Sequence, residues 1–141
     1  MTKLLNREIF LVDTSVWINF FKGIETESSK FLISNLNNII IATCPTIVQE
    51  MLQGVTSNVS ERTVKSHFDN LTKLHEDAYD MAVKAAELYR DLRTKGVTIR
   101  KPNDCLIAIY AMSNKLTLLH DDRDFQFIAQ HSSLKVMSFH E

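Results

Sequence analysis

Short apolar runs alternate along the chain with longer segments in which apolar residues recur at helical spacing. Residues 9–12 are all apolar, which is typical of a strand that is covered on both faces. Helical patterns separate this run from similar ones, and strands joined by helices favour a parallel sheet. We therefore predict an α/β fold, an α/β/α sandwich with a mostly parallel central sheet. Its other strands are predicted at residues 39–42, 71–75, 116–119 and 136–137.

Six helices are predicted between these strands. The first has apolar residues at helical spacing, Thr14 or Ser15 as its N-cap, and an end near Gly23. A proline at the first turn and a glycine at the end predict another helix from Pro45 to Gly54. The remaining helices are predicted at residues 31–36, within 56–70, from 78 to 96 and from 102 through 112.

Composition limits the class of protein. The chain has 141 residues, is 45% hydrophobic and 23% charged, and contains only three glycines and two prolines. These values are typical of one globular domain, here expected to span residues 1–141, and they exclude intrinsic disorder and loop-rich disulfide scaffolds. Cys44 and Cys105 lie in apolar stretches without zinc-binding spacing, so we expect two reduced core residues.

No segment of the sequence predicts a membrane or export signal. The longest apolar run, residues 105–112, is well short of the roughly 18 residues that a membrane span needs. Arg7 and Glu8 interrupt any apolar stretch of a signal peptide. We therefore expect a cytoplasmic protein.

The net charge of −1 does not favour global attraction to nucleic acid, but the charges are unevenly distributed. Residues 84–101 contain six basic side chains and two acidic ones, and an acidic segment follows them. This stretch is either a phosphate-binding surface beside a metal site or a solvated helix face with Asp91 and Lys95 as an i,i+4 pair. For the helical part we favour the second interpretation.

Carboxylates stand where the predicted strands end. Asp13 directly follows the first strand, and Glu50 and Asp104 lie in helices that begin at the same edge of the sheet. Three more acids follow the strand at 116–119, namely Asp121, Asp122 and Asp124. Ligands of parallel sheets bind beyond the carboxyl ends of the strands, so we expect these acids to meet there.

Each acid taken alone also has a structural explanation. Asp13 and Asp104 are suited to capping a helix or to interacting with its dipole. Glu50 is suited to the solvated side of an amphipathic helix, and residues 121–124 are suited to an ordinary acidic turn. The recurrence of acids at one edge of the sheet favours a shared function over these separate explanations.

Carboxylates gathered within a few ångströms repel one another and tend to take up protons. A divalent cation removes this repulsion, and ligands that are all oxygen favour Mg²⁺ or Mn²⁺ over Zn²⁺. His120, beside the acids, either contacts substrate or is a partly exposed loop residue. Because such a cation activates water and polarises phosphoryl oxygens, the predicted reaction is metal-assisted phosphodiester hydrolysis.

Four short motifs occur in order across most of the chain: LVDTSVWI at 11–18, PTIVQE at 45–50, NDCLIA at 103–108 and LLHDDRDF at 118–125. Together they resemble the PIN-domain family, and within it the VapC-type toxin ribonucleases. The resemblance implies a PIN-like central sheet and a Mg²⁺- or Mn²⁺-dependent endoribonuclease that hydrolyses RNA. It also implies the toxin of a type II toxin–antitoxin pair, a homodimer that a cognate VapB-type antitoxin neutralises.

The resemblance also implies roles for individual residues. It assigns the catalytic and metal-binding acidic quartet to Asp13, Glu50, Asp104 and Asp122. Asp124 is then an auxiliary carboxylate, and Thr14 or Ser15 either offers a hydroxyl to the metal-bound water or the phosphate, or only caps the helix. The family often has Thr-Asn before the last quartet acid, whereas this chain has His120 and Asp121, which leaves the substrate side of the site open.

Two further groups of residues have alternative interpretations. Arg100 and Lys101 lie just before Asp104 and either touch a substrate phosphate or acidic groups of the antitoxin, or are simply solvated. Trp17 and the aromatic residues that follow it either form a dimer or antitoxin interface or pack on the sheet.

Three alternative functions remain for comparison. A haloacid-dehalogenase-like phosphatase requires Asp-x-Asp after the first strand, but Ser15 occupies the third position. A receiver domain requires paired acids there, but Asp13 stands alone. A catalytically weak PIN-like module that binds RNA or protein is expected to lack some of the quartet acids, and all four are present.

Overall fold

A parallel five-stranded sheet forms the centre of the protein. The computed structural model describes residues 7–137 and 139, in which the strands have the order β3-β2-β1-β4-β5. All of the strand pairs are parallel, which confirms the predicted sheet. The strands are β1 Ile9–Val12, β2 Ile40–Thr43, β3 Thr72–Lys73, β4 Thr117–Leu119 and β5 Lys135–Val136.

Helices follow the strands, and the described residues contain seven of them. Their bounds are α1 Thr14–Lys22, α2 Glu27–Ser34, α3 Pro45–Gln53, α4 Asn58–Asp69, α5 Ala78–Thr94, α6 Pro102–Ser113 and α7 Asp124–Gln130. The six predicted helices are confirmed, although α2 begins earlier than expected, and α7 was not predicted. No helix among the described residues combines the length and apolar character needed to cross a bilayer.

The ends of α1 show one correct and one incorrect prediction. Gly23 ends the helix in the left-handed conformation with φ at 71°, a conformation that glycine adopts without steric cost. The predicted N-cap, Thr14 or Ser15, is wrong, because Asp13 occupies that position and its carboxylate accepts a hydrogen bond from the Ser15 N–H. A residue directly after a strand thus caps the next helix.

The core surrounds the central strand. Leu11 and Val12 of β1 and Leu118 of β4 have no exposed surface, which explains why these positions are apolar. Cys44 and Cys105 are buried free thiols, as predicted.

Trp17 packs inside the protein instead of forming a surface. It is fully buried, and its ring centroid lies 4.8 Å from that of His67 and 5.2 Å from that of Phe68, both on α4. Phe20 lies on α1, like Trp17, and the two rings meet edge to face with their centroids 5.4 Å apart. Trp17 is therefore an interior residue, but the aromatic neighbours seen here lie on α4 and α1 and not on the sheet, and this aromatic cluster attaches α4 to α1.

Candidate active site

The two central strands bring the first and last acidic motifs together. Val12 pairs with Leu119 in the parallel register, and the N–H of Asp13 donates to the Leu119 carbonyl at 2.9 Å. Asp13 therefore lies beside the loop that follows β4. Its carboxylate accepts hydrogen bonds from the N–H of Ser15 at 3.0 Å and from the Ser15 hydroxyl at 2.6 Å.

Helices α3 and α6 supply the next two acids. Glu50 of α3 accepts a hydrogen bond from the Thr14 hydroxyl at 2.5 Å, which joins α3 to the start of α1. Asp104 lies in the first turn of α6 and is only 4% exposed. Its Oδ2 atom is buried and has no hydrogen-bond partner among the described residues.

The loop between β4 and α7 supplies the remaining acids. Asp122 accepts a hydrogen bond from the N–H of Asp124 at 3.0 Å, and Asp124 is buried in the first turn of α7. Each of the residues Asp104, Asp122 and Asp124 offers a carboxylate oxygen such that the three oxygens lie within 4.8 Å of one another. The structure thus places an oxygen of Asp124, as well as one of Asp122, within 4.8 Å of an Asp104 oxygen.

Two basic residues contact the acids of this loop. The Arg100 side chain lies 3.3 Å from Asp124 through Nε and 3.6 Å from Asp122 through Nη2. The Lys101 ammonium lies 3.5 Å from Asp122. Because both basic side chains are mostly exposed, they remain accessible to an anion from solvent.

The other basic residues of this region behave as the solvated interpretation predicts. Lys84 pairs with Asp80 at 3.3 Å, and Lys95 pairs with Asp91 at 2.9 Å, each one helical turn apart on the exposed face of α5. The helical part of the basic stretch is therefore a solvated face, as expected.

Burial and mutual repulsion raise the pKa of two of the acids. The pKa of Asp13 is raised to about 6, chiefly by burial and also by the neighbouring Glu50, while the hydrogen bonds from Ser15 oppose the shift. Burial also raises the pKa of Asp104 to about 8, with added repulsion from Asp13, Asp122 and Glu50 and a lowering effect of a nearby lysine. The four predicted acids therefore interact as one cluster.

Asp104, Asp122 and Asp124 bring carboxylate oxygens close enough together to share a divalent cation, whereas Asp13 and Glu50 do not belong to this group of three among the described residues. The donor atoms are carboxylate oxygens, which Mg²⁺ and Mn²⁺ prefer. Within residues 7–137 and 139, the buried Oδ2 of Asp104 has no donor, although a buried acceptor normally has a partner. A cation bound by this oxygen would supply that partner and relieve the repulsion that raises the pKa of Asp104.

The hydroxyls of Thr14 and Ser15 are already engaged by protein groups. Thr14 donates to Glu50, and Ser15 donates to Asp13 while accepting a hydrogen bond from the N–H of Asp121 at 2.9 Å. Both hydroxyls therefore hold carboxylates in place in this structure.

His120 is more buried than the sequence predicted for a loop residue. It is buried, with 7% exposure, so the prediction of partial exposure is wrong. Its Nδ1 accepts a hydrogen bond from the N–H of Asp122 at 3.2 Å, and its carbonyl accepts one from the Ser28 hydroxyl at 3.0 Å. Burial lowers the pKa of His120 against the opposing effect of Asp121 and Asp122.

Asp121 connects the loop to helices that are distant in sequence. Its carboxylate accepts hydrogen bonds from the Asn19 amide at 3.1 Å and from the Thr26 hydroxyl at 2.9 Å. Sequence reasoning missed Asn19 and Thr26, because neither belongs to a motif or lies near the acids in the chain. Asp121 thus supports the position of the loop that carries Asp122.

Comparison with known proteins gives the family. The profile of the PIN domain matches residues 10–130, and the chain therefore belongs to the PIN-domain family. This membership excludes the phosphatase and receiver-domain alternatives. Within the family, a curated relative is VapC ribonuclease Mb1587 of Mycobacterium bovis, which is 34% identical over 135 residues, covering 93% of this chain and 99% of the relative.

Solved structures share the fold. The structure of VapBC-1 from nontypeable Haemophilus influenzae matches with a TM-score of 0.71 at 19% identity, over 92% of this chain and 97% of that chain. A second match is VapBC-5 from Mycobacterium tuberculosis, a member of the VapBC family of toxin–antitoxin systems, with a TM-score of 0.62 at 21% identity over 92% of this chain and 97% of that chain. At these identities the likeness shows the fold.

Proposed function

We propose that this protein is a divalent-metal-dependent endoribonuclease and the toxin of a type II toxin–antitoxin pair. One observation carries the proposal: acids from four separate segments interact at one sheet edge, and the buried Asp104 has a carboxylate oxygen without a hydrogen-bond partner among the described residues. The relative named VapC ribonuclease, which matches along almost its whole length, supports RNA as the substrate.

The proposed ligands of Mg²⁺ or Mn²⁺ are the quartet Asp13, Glu50, Asp104 and Asp122. When bound, such an ion polarises a phosphoryl oxygen and lowers the pKa of attacking water. The chain itself supplies the rigid array of carboxylates. Thr14 and Ser15 hold two of them, and Asp124 is an auxiliary residue that donates its N–H to Asp122.

Arg100 and Lys101 are proposed to contact the substrate. Both contact the quartet acid Asp122, and both are exposed by more than half. Exchange of a carboxylate partner for a phosphate oxygen requires only a change of side-chain rotamer at such exposed positions. The affinity of guanidinium and ammonium groups for phosphates supports a role of these two residues in orienting the scissile phosphodiester.

The proposed protein partners follow from the solved relatives. The matching structure from Mycobacterium tuberculosis belongs to a family of toxin–antitoxin systems, which supports a VapB-type antitoxin for this chain. A homodimer is part of the same proposal. Co-purification with the product of an adjacent small reading frame, and the mass of the isolated chain in solution, test these two points.

Cleavage of structured RNA tests the enzymatic proposal. We expect the wild type to cut RNA with Mg²⁺ and to stop when EDTA is added. Asp104→Asn is expected to lose at least about 100-fold in rate, a size typical of removing catalytic electrostatic stabilisation. Asp91→Asn, on the exposed face of α5, is the matched control and should cut normally. Equal rates for wild type and Asp104→Asn would contradict the site and favour a binding module.

A further inference from the structure

A second pocket opens beside the acids. Its volume is about 260 Å³, and it lies between the start of α2, the β4–α7 loop and the residues after β5. Asp122 of the proposed quartet is part of its wall, so the pocket is continuous with the candidate active site. Met137 and Phe139 supply apolar surface, Gln126 supplies an amide, and Glu27, Asp121 and Asp122 supply carboxylates. Such a mixture of apolar surface and a few polar groups is typical of ligand sites.

His120 presents a hydrogen-bond donor whose position is fixed. Its Nδ1 accepts from the N–H of Asp122 at 3.2 Å, and acceptance requires a lone pair on that nitrogen. The ring proton therefore lies on Nε2. That atom is 3.5 Å from the Gln126 amide nitrogen, too far for a strong hydrogen bond.

Gln126 adds a second polar group to the wall. It is half-buried on α7, and its amide carries two donor hydrogens and one acceptor oxygen. The amide lies 3.5 Å from His120 Nε2, and rotation of the amide by 180° lets its oxygen accept from the Nε2–H while its NH₂ group keeps two donor hydrogens. Arg123, exposed at the rim, adds further donors. These side chains are the donors of the wall, and the carboxylates of Glu27, Asp121 and Asp122 are its acceptors.

We propose that this pocket binds one unstacked nucleobase of the RNA, beside the phosphodiester at the acids, and that His120 and Gln126 select the base. The inference rests on the proposed ribonuclease function. Proteins read single-stranded RNA by holding splayed-out bases in pockets and hydrogen-bonding their edges. Guanine fits a wall with both donors and acceptors, because its O6 and N7 accept hydrogen bonds at adjacent positions and its N2 amino group donates.

Binding of mononucleotides tests the pocket without cleavage. GMP and ribose 5-phosphate are titrated with Mg²⁺ into the full chain, and the imidazole signals of His120 are followed by NMR. We expect GMP to shift these signals and to bind about 10-fold more tightly than ribose 5-phosphate, the discrimination typical of a paired hydrogen bond to a base. Equal affinity for the two probes would overturn the proposal.

Gln126→Leu removes the proposed contact, and Gln130→Leu is the matched control at the exposed end of the same helix. We expect the first variant to lose the preference for GMP and the second to retain it. If Gln126→Leu fails to fold, Gln126→Glu replaces amide donors with acceptors and should also lose the preference. Unchanged GMP affinity in a folded Gln126 variant would overturn the proposal.

Sequencing of the cut ends from a random RNA pool separates this inference from the proposed function. We expect wild type to cut next to guanine and Gln126→Leu to cut with relaxed base preference. Cutting by both proteins with the same preference would overturn the base pocket while the ribonuclease function stands. Selective GMP binding by a wild type that cuts no RNA would overturn the ribonuclease function while the pocket stands.

Discussion

The two halves of the candidate site contain the same kind of side chain in opposite electrostatic surroundings. Asp122 and Asp124, on the loop after β4, are in contact with the Arg100 guanidinium. Asp13 and Asp104 are buried, form no ion pair among the described residues, and have pKa values raised to about 6 and about 8. The first pair has its counter-charge built into the chain, whereas the second pair lacks one.

This difference indicates which part of the candidate site depends on a bound cation. The paired half, Asp122 and Asp124, is held by contacts with Arg100 that do not need a metal. The unpaired half, Asp13 and Asp104, destabilises the fold when both carboxylates are ionised, because buried like charges repel one another. Binding of a cation to the folded protein would then stabilise it, because a ligand that binds only the folded state raises the free energy of unfolding.

Asp104→Asn breaks the unpaired half, and we expect the largest effect there. Near pH 8 and without metal, the free energy of unfolding of the variant should be higher by on the order of 2 kcal/mol. The reason is that a neutral amide replaces a carboxylate whose ionised form is unfavourable in this buried position. The unpaired amide offsets part of the full gain. Urea unfolding in EDTA measures this, with Asp91→Asn as a control that stays within about 0.5 kcal/mol. A less stable Asp104→Asn would contradict the comparison.

Ser15→Ala tests what holds the unpaired half in place. The Ser15 hydroxyl donates to Asp13 and accepts from the N–H of Asp121, so its removal should cost about 1.5 kcal/mol. The pKa of Asp13 should also rise further, because this hydrogen bond lowers it. Chemical unfolding and NMR titration of the carboxyl measure the two effects. Ser66→Ala, at an exposed position of α4, is the control, and equal stabilities for both variants would count against this role.

The pH dependence of stability should follow Asp104. Its pKa is raised on folding, so the stabilisation is present at low pH and is lost as the pH rises through about 8. Between about pH 7 and about pH 8 the metal-free wild type should lose about 1 kcal/mol, and Asp104→Asn should lose little. The lowered pKa values of His67 and His120 act below this window, and the raised pKa values of the buried cysteines act above it.

Saturating Mg²⁺ sharpens this pH test. The ion stabilises the ionised carboxylates, so the wild-type curve should become flatter over the same window. A curve with the same slope with and without Mg²⁺, or a wild type that becomes more stable as the pH rises through the window, would show that Asp104 is not the group responsible.

Arg100→Ala removes the counter-charge of the paired half, and we expect it to change the free energy of unfolding least. Arg100 is 62% exposed in its side chain, so solvent screens its interaction with Asp122 and Asp124. The loss in free energy of unfolding should be about 0.5–1 kcal/mol. Lys95→Ala, which breaks the exposed pair with Asp91, is the control and should cost less. Thermal or urea unfolding measures these losses. If Arg100→Ala lost more free energy of unfolding than Ser15→Ala, the paired half would be the more important for stability, contrary to the comparison.

Local pattern was sufficient for most of the secondary structure and for the candidate acids. A strand buried on both faces has room only for apolar residues, so β1 and the acid that follows it are visible in the sequence. Helix α7 was missed because it has only seven residues and begins among acids that also suit a turn. The cap of α1 was misplaced because a strand-end carboxylate and two hydroxyls compete for the same N–H groups.

Sequence by itself determined which residue types occupy the strands, where the parallel strands end, and therefore which carboxylates reach a common edge. Tertiary structure alone decided which acids received a counter-charge and which remained unpaired. The physical reason is that periodicity and capping act within a few residues, whereas burial and ion pairing depend on segments that meet only after folding. The Ser28 hydroxyl that fixes the His120 carbonyl, for example, comes from a position 92 residues earlier in the chain.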